Sequence, residues 1–352
     1  MNNESVNPNL TQLPSTDPGQ LLRYRDRQYA AELIGVLLLH FDFFTWMDQK
    51  RSVTTGDIAE KFKFATRPLD VALTLCRANG FIASNGDTHE LTLLAREHLV
   101  SGSPWNLGPY YEPIKNTPIA EGFIKVLTSG KPANWQAKDD GDDWHESMLS
   151  EDFAKGFTAL MNCRGMSFGQ HLALAVTPLI KPEARTLLDI GGGSGIYAST
   201  MVARHPRLSA IVLEQPPVDS IAIGEIQRHG LQDRISVLSA NMLKDPWPEN
   251  QDIILLSNVL HDWDFPEVRK LIELTANALA PGGIVIIHEA FISNDKTGPL
   301  PVAEYSALLM NITQGKCYTP NEYGDLLEEF GLNVGPYHDT VSDRGFMYAV
   351  KS

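Results

Sequence analysis

The chain has 352 residues, which suits two or three domains of ~100–200 residues each. With 43% hydrophobic and 20% charged residues it can build a full core and is too apolar for a disordered chain. Lys and Arg number 29 against 43 Asp and Glu, a net charge of −14 that repels phosphate backbones and argues against nucleic acid as the main ligand.

Residues 1–19 are mostly Asn, Pro, Ser and Thr, and they read as a flexible arm. The first twenty residues carry no Lys or Arg, so no signal peptide is expected there. From Leu21 to Met47 apolar residues recur at helical spacing (Leu22, Tyr29, Leu33, Val36, Leu37). The most apolar stretch, Ile34–Phe44, is interrupted by His40 and Asp42 and falls well short of the ~20 residues a membrane span needs. Thr54-Thr55-Gly-Asp opens a short helix, and Thr66-Arg-Pro-Leu opens another that ends at Asn79-Gly80. A turn at Asn85-Gly86-Asp87 then joins two short strands. Helix, turn, helix, hairpin over 20–100 is a winged-helix pattern. Its ten basic residues balance ten acidic ones, so it reads as a packing or dimerisation module and not as a DNA reader.

Residues 101–185 form a helical connecting region broken by Pro and Gly. The acidic run Lys138–Trp144 lacks the order of a calcium loop and reads as a solvated loop. His145-Glu146 has no second His four residues on, so it is no zinc motif. Cys76, Cys163 and Cys317 lie far apart, without metal or redox spacing. A reducing, cytoplasmic setting is the expectation, with no metal and no membrane partner.

From residue 186 to the end the grammar changes, and eleven basic residues face twenty-one acidic ones. Strands are expected at Thr186–Ile190, Ala210–Glu214, Ile235–Ser239, Asp252–Ser257 and Gly283–Glu289. Helices fall between them at Ile196–His205, Ser220–His229 and Pro266–Leu279. This alternation predicts a parallel, doubly wound α/β sheet. Leu332–His338 and Phe346–Val350 add two strands as an antiparallel edge.

Leu187-Leu-Asp189-Ile-Gly191-Gly-Gly193-Ser-Gly195 follows a strand and opens a helix, where bare backbone admits a ligand. The glycine spacing departs from the dinucleotide fingerprint. Glu214 ends the next strand and can accept from both hydroxyls of a ribose. Those residues suit NAD and S-adenosylmethionine equally. His261 then follows the strand Asp252–Ser257, at the carboxyl rim where open α/β sheets place their sites. Glu289 reaches the same rim from the next strand. A carboxylate beside a histidine holds its tautomer and stabilises the imidazolium, as a general base requires.

The order Asp-Ile-Gly-Gly-Gly-Ser-Gly, Glu214, Asn241-Met242, Leu260-His-Asp-Trp-Asp264, Pro-Gly-Gly and Glu289 resembles the small-molecule O-methyltransferases of the caffeate and acetylserotonin type. The resemblance covers nearly the whole chain. It implies a class I methyltransferase sheet, Rossmann-like, behind an N-terminal winged-helix domain, in a homodimer that uses S-adenosylmethionine and no metal. Asp189, Gly191 and Gly193 would then line the cofactor site, with Glu214 at the ribose, Asn241 and Met242 at the adenine, and Ser257 close by. His261 would be the base and Glu289 its orienting group. Phe157, Met161, Met310 and Asn311 would meet a small hydroxylated acceptor. Asn241 stands where the family has Asp, Ser257 where Lys or Arg is common, and Pro320 where some members carry a second carboxylate. A relative that keeps the cofactor but runs a pericyclic, decarboxylating or hydroxylating step is the alternative, against which His261 argues. A winged-helix regulator is the other, disfavoured by the neutral 20–100 region.

Overall fold

The computed structural model describes residues 10–133 and 147–352. The expected loop at Lys138–Trp144 lies outside the described residues. Two compact units emerge. One comprises Gly19–Trp144 with Phe291–Thr319; the other comprises Met1–Pro18, His145–Ala290 and Pro320–Ser352.

In the first unit the expected helix Leu21–Met47 is two helices, Gly19–Leu39 and Phe43–Lys50. The break falls at Asp42, whose φ of 45° is left-handed and cannot continue a helix. Strand β1 (Val53–Thr54), helices Thr55–Phe62 and Thr66–Ala78, and strands β2 (Ile82–Asn85) and β3 (Thr88–Leu91) form the winged-helix pattern, with sheet order β1-β3-β2. Thr54 caps its helix reciprocally: its hydroxyl accepts from the Asp57 amide at 3.1 Å, and its own amide donates to the Asp57 carboxylate at 2.8 Å. Leu37, Leu38, Phe43 and Phe44 are all buried within the single chain.

Helix Leu300–Ile312 belongs to this unit, although the sequence division placed it with the sheet. It is buried almost throughout, an apolar helix with no solvent face. Arg23 reaches its Glu304 at 2.7 Å, and Asp70 on helix Thr66–Ala78 holds Lys296 at 2.9 Å and Lys316 at 2.5 Å. Those ionic contacts join segments more than 200 residues apart in sequence.

The second unit carries the sheet: β4 (Thr186–Ile190), β5 (Ser209–Glu214), β6 (Ile235–Ser239), β7 (Gln251–Ser257), β8 (Leu279–Glu289), β9 (Leu332–Val334), β10 (His338–Asp339) and β11 (Gly345–Lys351). Its order is β10-β11-β8-β7-β4-β5-β6, with β9 also on β11. Strands β4 to β8 pair in parallel, and β11 pairs antiparallel with β8, as the tail pattern predicted. The chain reverses direction across the sheet at β4, between β5 and β7, and the crevice at the carboxyl ends there is where such sheets bind ligands. Helix Glu151–Ala175 packs on helix Ile196–Arg204 closely enough that Gly165 and Gly169 are required. A Cβ at Gly165 would sit 2.5 Å from Ile196 Cγ2.

The arm expected over 1–19 is anchored where it is described. Leu10 is buried, the Thr11 carbonyl accepts from Arg204 at 3.3 Å, and Asp17 accepts from Ser342 N at 3.2 Å and from its hydroxyl at 2.5 Å. No single helix among the described residues is long and apolar enough to cross a membrane.

Candidate active site

The turn after β4 holds Gly191, Gly193 and Gly195 at φ of 60°, 56° and 75°. That backbone favours glycine, and at Gly191 and Gly192 the space favours it too. A Cβ at Gly192 would lie 2.6 Å from Asp189 Oδ2, and one at Gly191 would lie 3.2 Å from Val259. Asp189 is buried at the end of β4, where its Oδ2 accepts from Ala198 N at 3.3 Å. Burial, helped by the charge of Glu214, pushes its carboxyl up to about 7.

Glu214 closes β5 half-buried. One oxygen accepts from Gly193 N at 3.0 Å and the other from Gln215 N at 2.8 Å. Each oxygen therefore keeps a lone pair for a hydroxyl donor. Burial pushes this carboxyl up to about 7 as well, against the lowering effect of those two amides. Met242 sits beside the loop, its sulfur 3.6 Å from where a Gly191 Cβ would be.

Two sequence candidates are engaged locally. Asn241 Oδ1 caps its own turn by accepting from Leu243 N at 3.0 Å, and its Nδ2 donates to Gln215 at 3.3 Å. One lone pair of its carbonyl remains for an adenine amino group. Ser257 lies inward, its hydroxyl 3.0 Å from His288 Nδ1, so it is a member of a buried polar chain.

His261 lies in a single 3-10 turn, Leu260–Asp262, directly after β7. It is 3% exposed, and Glu289 at the end of β8 is 1% exposed. His261 Nδ1 faces Glu289 Oε2, while Nε2 lies 3.6 Å from Asp262. Glu289 Oε1 accepts from two successive amides, Val259 at 3.0 Å and Leu260 at 3.1 Å. One oxygen of the carboxylate thus accepts from the turn, and the other lies in close ion-pair contact with the imidazole. The parallel pairing of β7 with β8 brings the two strand ends into register, Ser257 against His288.

Of the acceptor candidates, Phe157 and Met161 lie on helix Glu151–Ala175 in the sheet unit, and Met310 and Asn311 on the buried helix of the other unit. Phe157 stacks on Phe153 with centroids 6.2 Å apart. Asn162, one residue after Met161, accepts from Ser194 in the glycine loop at 2.8 Å. Met310 is fully buried. Asn311 is buried with its Nδ2 lacking any hydrogen-bond partner among the described residues. Pro320 begins helix Pro320–Glu329 and offers no carboxylate. Among the described residues no three His, Cys, Asp or Glu side chains group as metal ligands.

Sequence reasoning passed over Tyr197, Asn258 and His288. His288 is fully buried and held down to about 3 by burial and by the charges of Arg344 and Arg164, so it is neutral. Its place next to Glu289, on a strand buried on both faces, was the available signal.

The O-methyltransferase domain family matches residues 135–333, more than half of the chain. A 3-hydroxy-5-methyl-1-naphthoate 3-O-methyltransferase of Streptomyces sahachiroi is 29% identical over 280 residues, 79% of each chain. The acetylserotonin O-methyltransferase of Gallus gallus is 32% identical over 164 residues, 45% of this chain and 47% of its own. The crystal structure of an O-methyltransferase family 2 protein from Planctomyces limnophilus, in complex with apigenin, superposes with a TM-score of 0.87. Its identity is 26%, and the match covers 98% of this chain and 99% of that one.

Proposed function

The chain belongs to the O-methyltransferase family, and we propose that it methylates a hydroxyl of a small aromatic acceptor with His261 as general base. The observation that carries this reading is the buried His261–Glu289 pair at the carboxyl rim of the sheet, on the strands beside the glycine loop. The family's cofactor is S-adenosylmethionine, and the residues present fit it. Glu214 keeps acceptor capacity on both oxygens for ribose hydroxyls, and the glycine turn leaves backbone bare for the methionine end. Met242 and the remaining lone pair of Asn241 serve the adenine. When bound, the cofactor supplies an electrophilic methyl group.

The rest is the work of this chain. His261 Nδ1 faces Glu289 in a close ion-pair contact, so Nε2 is the atom that takes the hydroxyl proton. Moving a proton from a phenol to free imidazole in water is uphill by ~5 kcal/mol. Glu289 offsets part of this by stabilising the imidazolium, and the buried setting holds hydroxyl and imidazole in reacting geometry. 3-Hydroxy-5-methyl-1-naphthoate and acetylserotonin, in the names of two relatives, and apigenin, bound in a similar structure, are all hydroxylated aromatics. The test is transfer of isotope-labelled methyl from S-adenosylmethionine to a panel of phenols, hydroxynaphthoates and flavones. An O-methylated product is expected; its absence across the panel, or a product changed at carbon or by loss of carbon dioxide, would overturn the reading.

A homodimer formed through the winged-helix unit is part of the same proposal. Leu37, Leu38, Phe43 and Phe44 of the N-terminal helices do not carry it, because they are used inside the chain. Exposed Leu21, Tyr24, Trp105, Leu107 and Tyr110 in that unit do. Light scattering at micromolar concentration should give twice the chain mass of 38.9 kDa, and a fully active monomer would refute it.

A further inference from the structure

We propose that Asn258 is a positioning residue for the His261–Glu289 pair, acting through the backbone turn that joins β7 to His261. This inference rests on the general-base reading of His261. Asn258 has a φ of 55°, the left-handed region that side chains other than Asn and Asp seldom enter. Its amide N donates to the His288 carbonyl at 2.9 Å, closing the end of β7 against β8. With the chain bent at that point, the next two amides, Val259 and Leu260, both point at Glu289 Oε1. A right-handed or extended residue at 258 would turn those donors away. Glu289 would then be held only by the imidazole it is meant to orient.

The side chain locks the bend. Asn258 Nδ2 donates to the Tyr197 hydroxyl oxygen and to Ser257 Oγ, each at 3.1 Å. Ser257 in turn meets neutral His288, and the His288 ring lies against Tyr197 with centroids 5.7 Å apart. A polar chain Tyr197–Asn258–Ser257–His288 therefore backs the turn. Two features of Asn258 count against a role in stability alone. Its backbone is in a costly conformation, and its Oδ1 is buried with no hydrogen-bond partner among the described residues. Both costs are compensated if the turn must present two amides to one carboxylate oxygen.

The test compares Asn258→Ala, which disfavours the bend and removes the lock, with Asn258→Gly, which removes the lock and permits the bend. The first readout is the imidazole ¹⁵N resonances of His261 in the full chain, identified by their loss in His261→Ala. The second is methyl transfer to the hydroxyaromatic panel. Asn258→Ala should shift the His261 resonances and lower kcat by ~10–100-fold, the size of effect a small misplacement of a catalytic group produces. Acceptor KM and cofactor affinity should change far less than kcat, since Glu214 and the glycine turn are held by hydrogen bonds of their own. Asn258→Gly should fall between Asn258→Ala and the unaltered protein in both readouts. If Asn258→Ala does not fold, Tyr197→Phe keeps the ring on His288 and removes the hydroxyl, with the same direction expected and a loss of ~3–10-fold. Unmoved His261 resonances in the variant that folds, or a glycine variant as impaired as the alanine one, would overturn the inference. Full turnover in His261→Ala would instead remove the general-base reading beneath it. An inactive His261→Ala beside unmoved resonances overturns the role of Asn258 alone.

Discussion

Glu214 makes a quantitative prediction about cofactor binding. In the free protein burial holds its carboxyl at about 7, so it is ~90% protonated at pH 6 and mostly ionised at pH 8. Ribose hydroxyls donating to both oxygens favour the ionised form, so bound cofactor releases the proton. Affinity should therefore be about tenfold weaker at pH 6 than at pH 8, equivalent to ~1.4 kcal/mol. Because Glu214 is half-buried, solvent screening trims the expected range to about threefold to tenfold. The stability sign runs the other way in the free protein. Both Glu214 and Asp189 are raised to about 7, so their contribution to stability is complete below the ordinary carboxyl range and lost as pH climbs through 7. Calorimetric titration of the demethylated cofactor at pH 6, 7 and 8, in buffers of different ionisation enthalpy, reads affinity and proton release together. Glu214→Gln should flatten the pH dependence, and Glu214→Ala should cost ~1.5–3 kcal/mol of binding as hydrogen bonds to a charged group are lost. An affinity equal at all three pH values in the unaltered protein, or a pH dependence unchanged in Glu214→Gln, would refute this reasoning.

Two further substitutions probe separate parts of the account. Gly165→Ala places a methyl 2.5 Å from Ile196 Cγ2, where helix Glu151–Ala175 crosses the helix after the glycine loop. It should destabilise by ~1–3 kcal/mol, read as a lower denaturation midpoint, and an unchanged midpoint would show that this crossing is not tight. Glu289→Gln keeps the shape and removes the charge beside His261; turnover should fall while cofactor affinity holds, and unimpaired turnover would separate Glu289 from the chemistry.

The parts of this protein legible in its sequence are those written by local rules. The strand and helix limits of the sheet follow from alternation of short apolar runs with amphipathic stretches. Ile235–Ser239 and Thr186–Ile190 match to the residue. The glycine turn and the strand-end histidine were legible because their chemistry lies in one short segment each, and Glu289 because it ends a neighbouring buried strand. What was not legible depends on contacts between distant segments. Nothing local says that helix Leu300–Ile312 packs with the N-terminal unit, or that Asp17 ties the arm to Ser342. The family resemblance puts Asn241 and Ser257 at the cofactor, yet their polar atoms are largely spoken for by Leu243, Gln215 and His288. Hydrogen-bond competition of that kind appears only once the backbone is folded. The single-helix reading of Leu21–Met47 failed at Asp42 because apolar spacing alone does not register a left-handed residue.

The central claim is that His261 takes a proton from the acceptor with Glu289 behind it. The direct measurement is paired, on one preparation of His261→Ala: cofactor affinity by calorimetry and methyl transfer to a phenolic acceptor. The account predicts affinity within about threefold of the unaltered protein and turnover lower by ~10²–10⁴-fold, the usual contribution of a positioned base. Turnover that survives the substitution, or affinity, turnover and melting temperature that fall together, would contradict it.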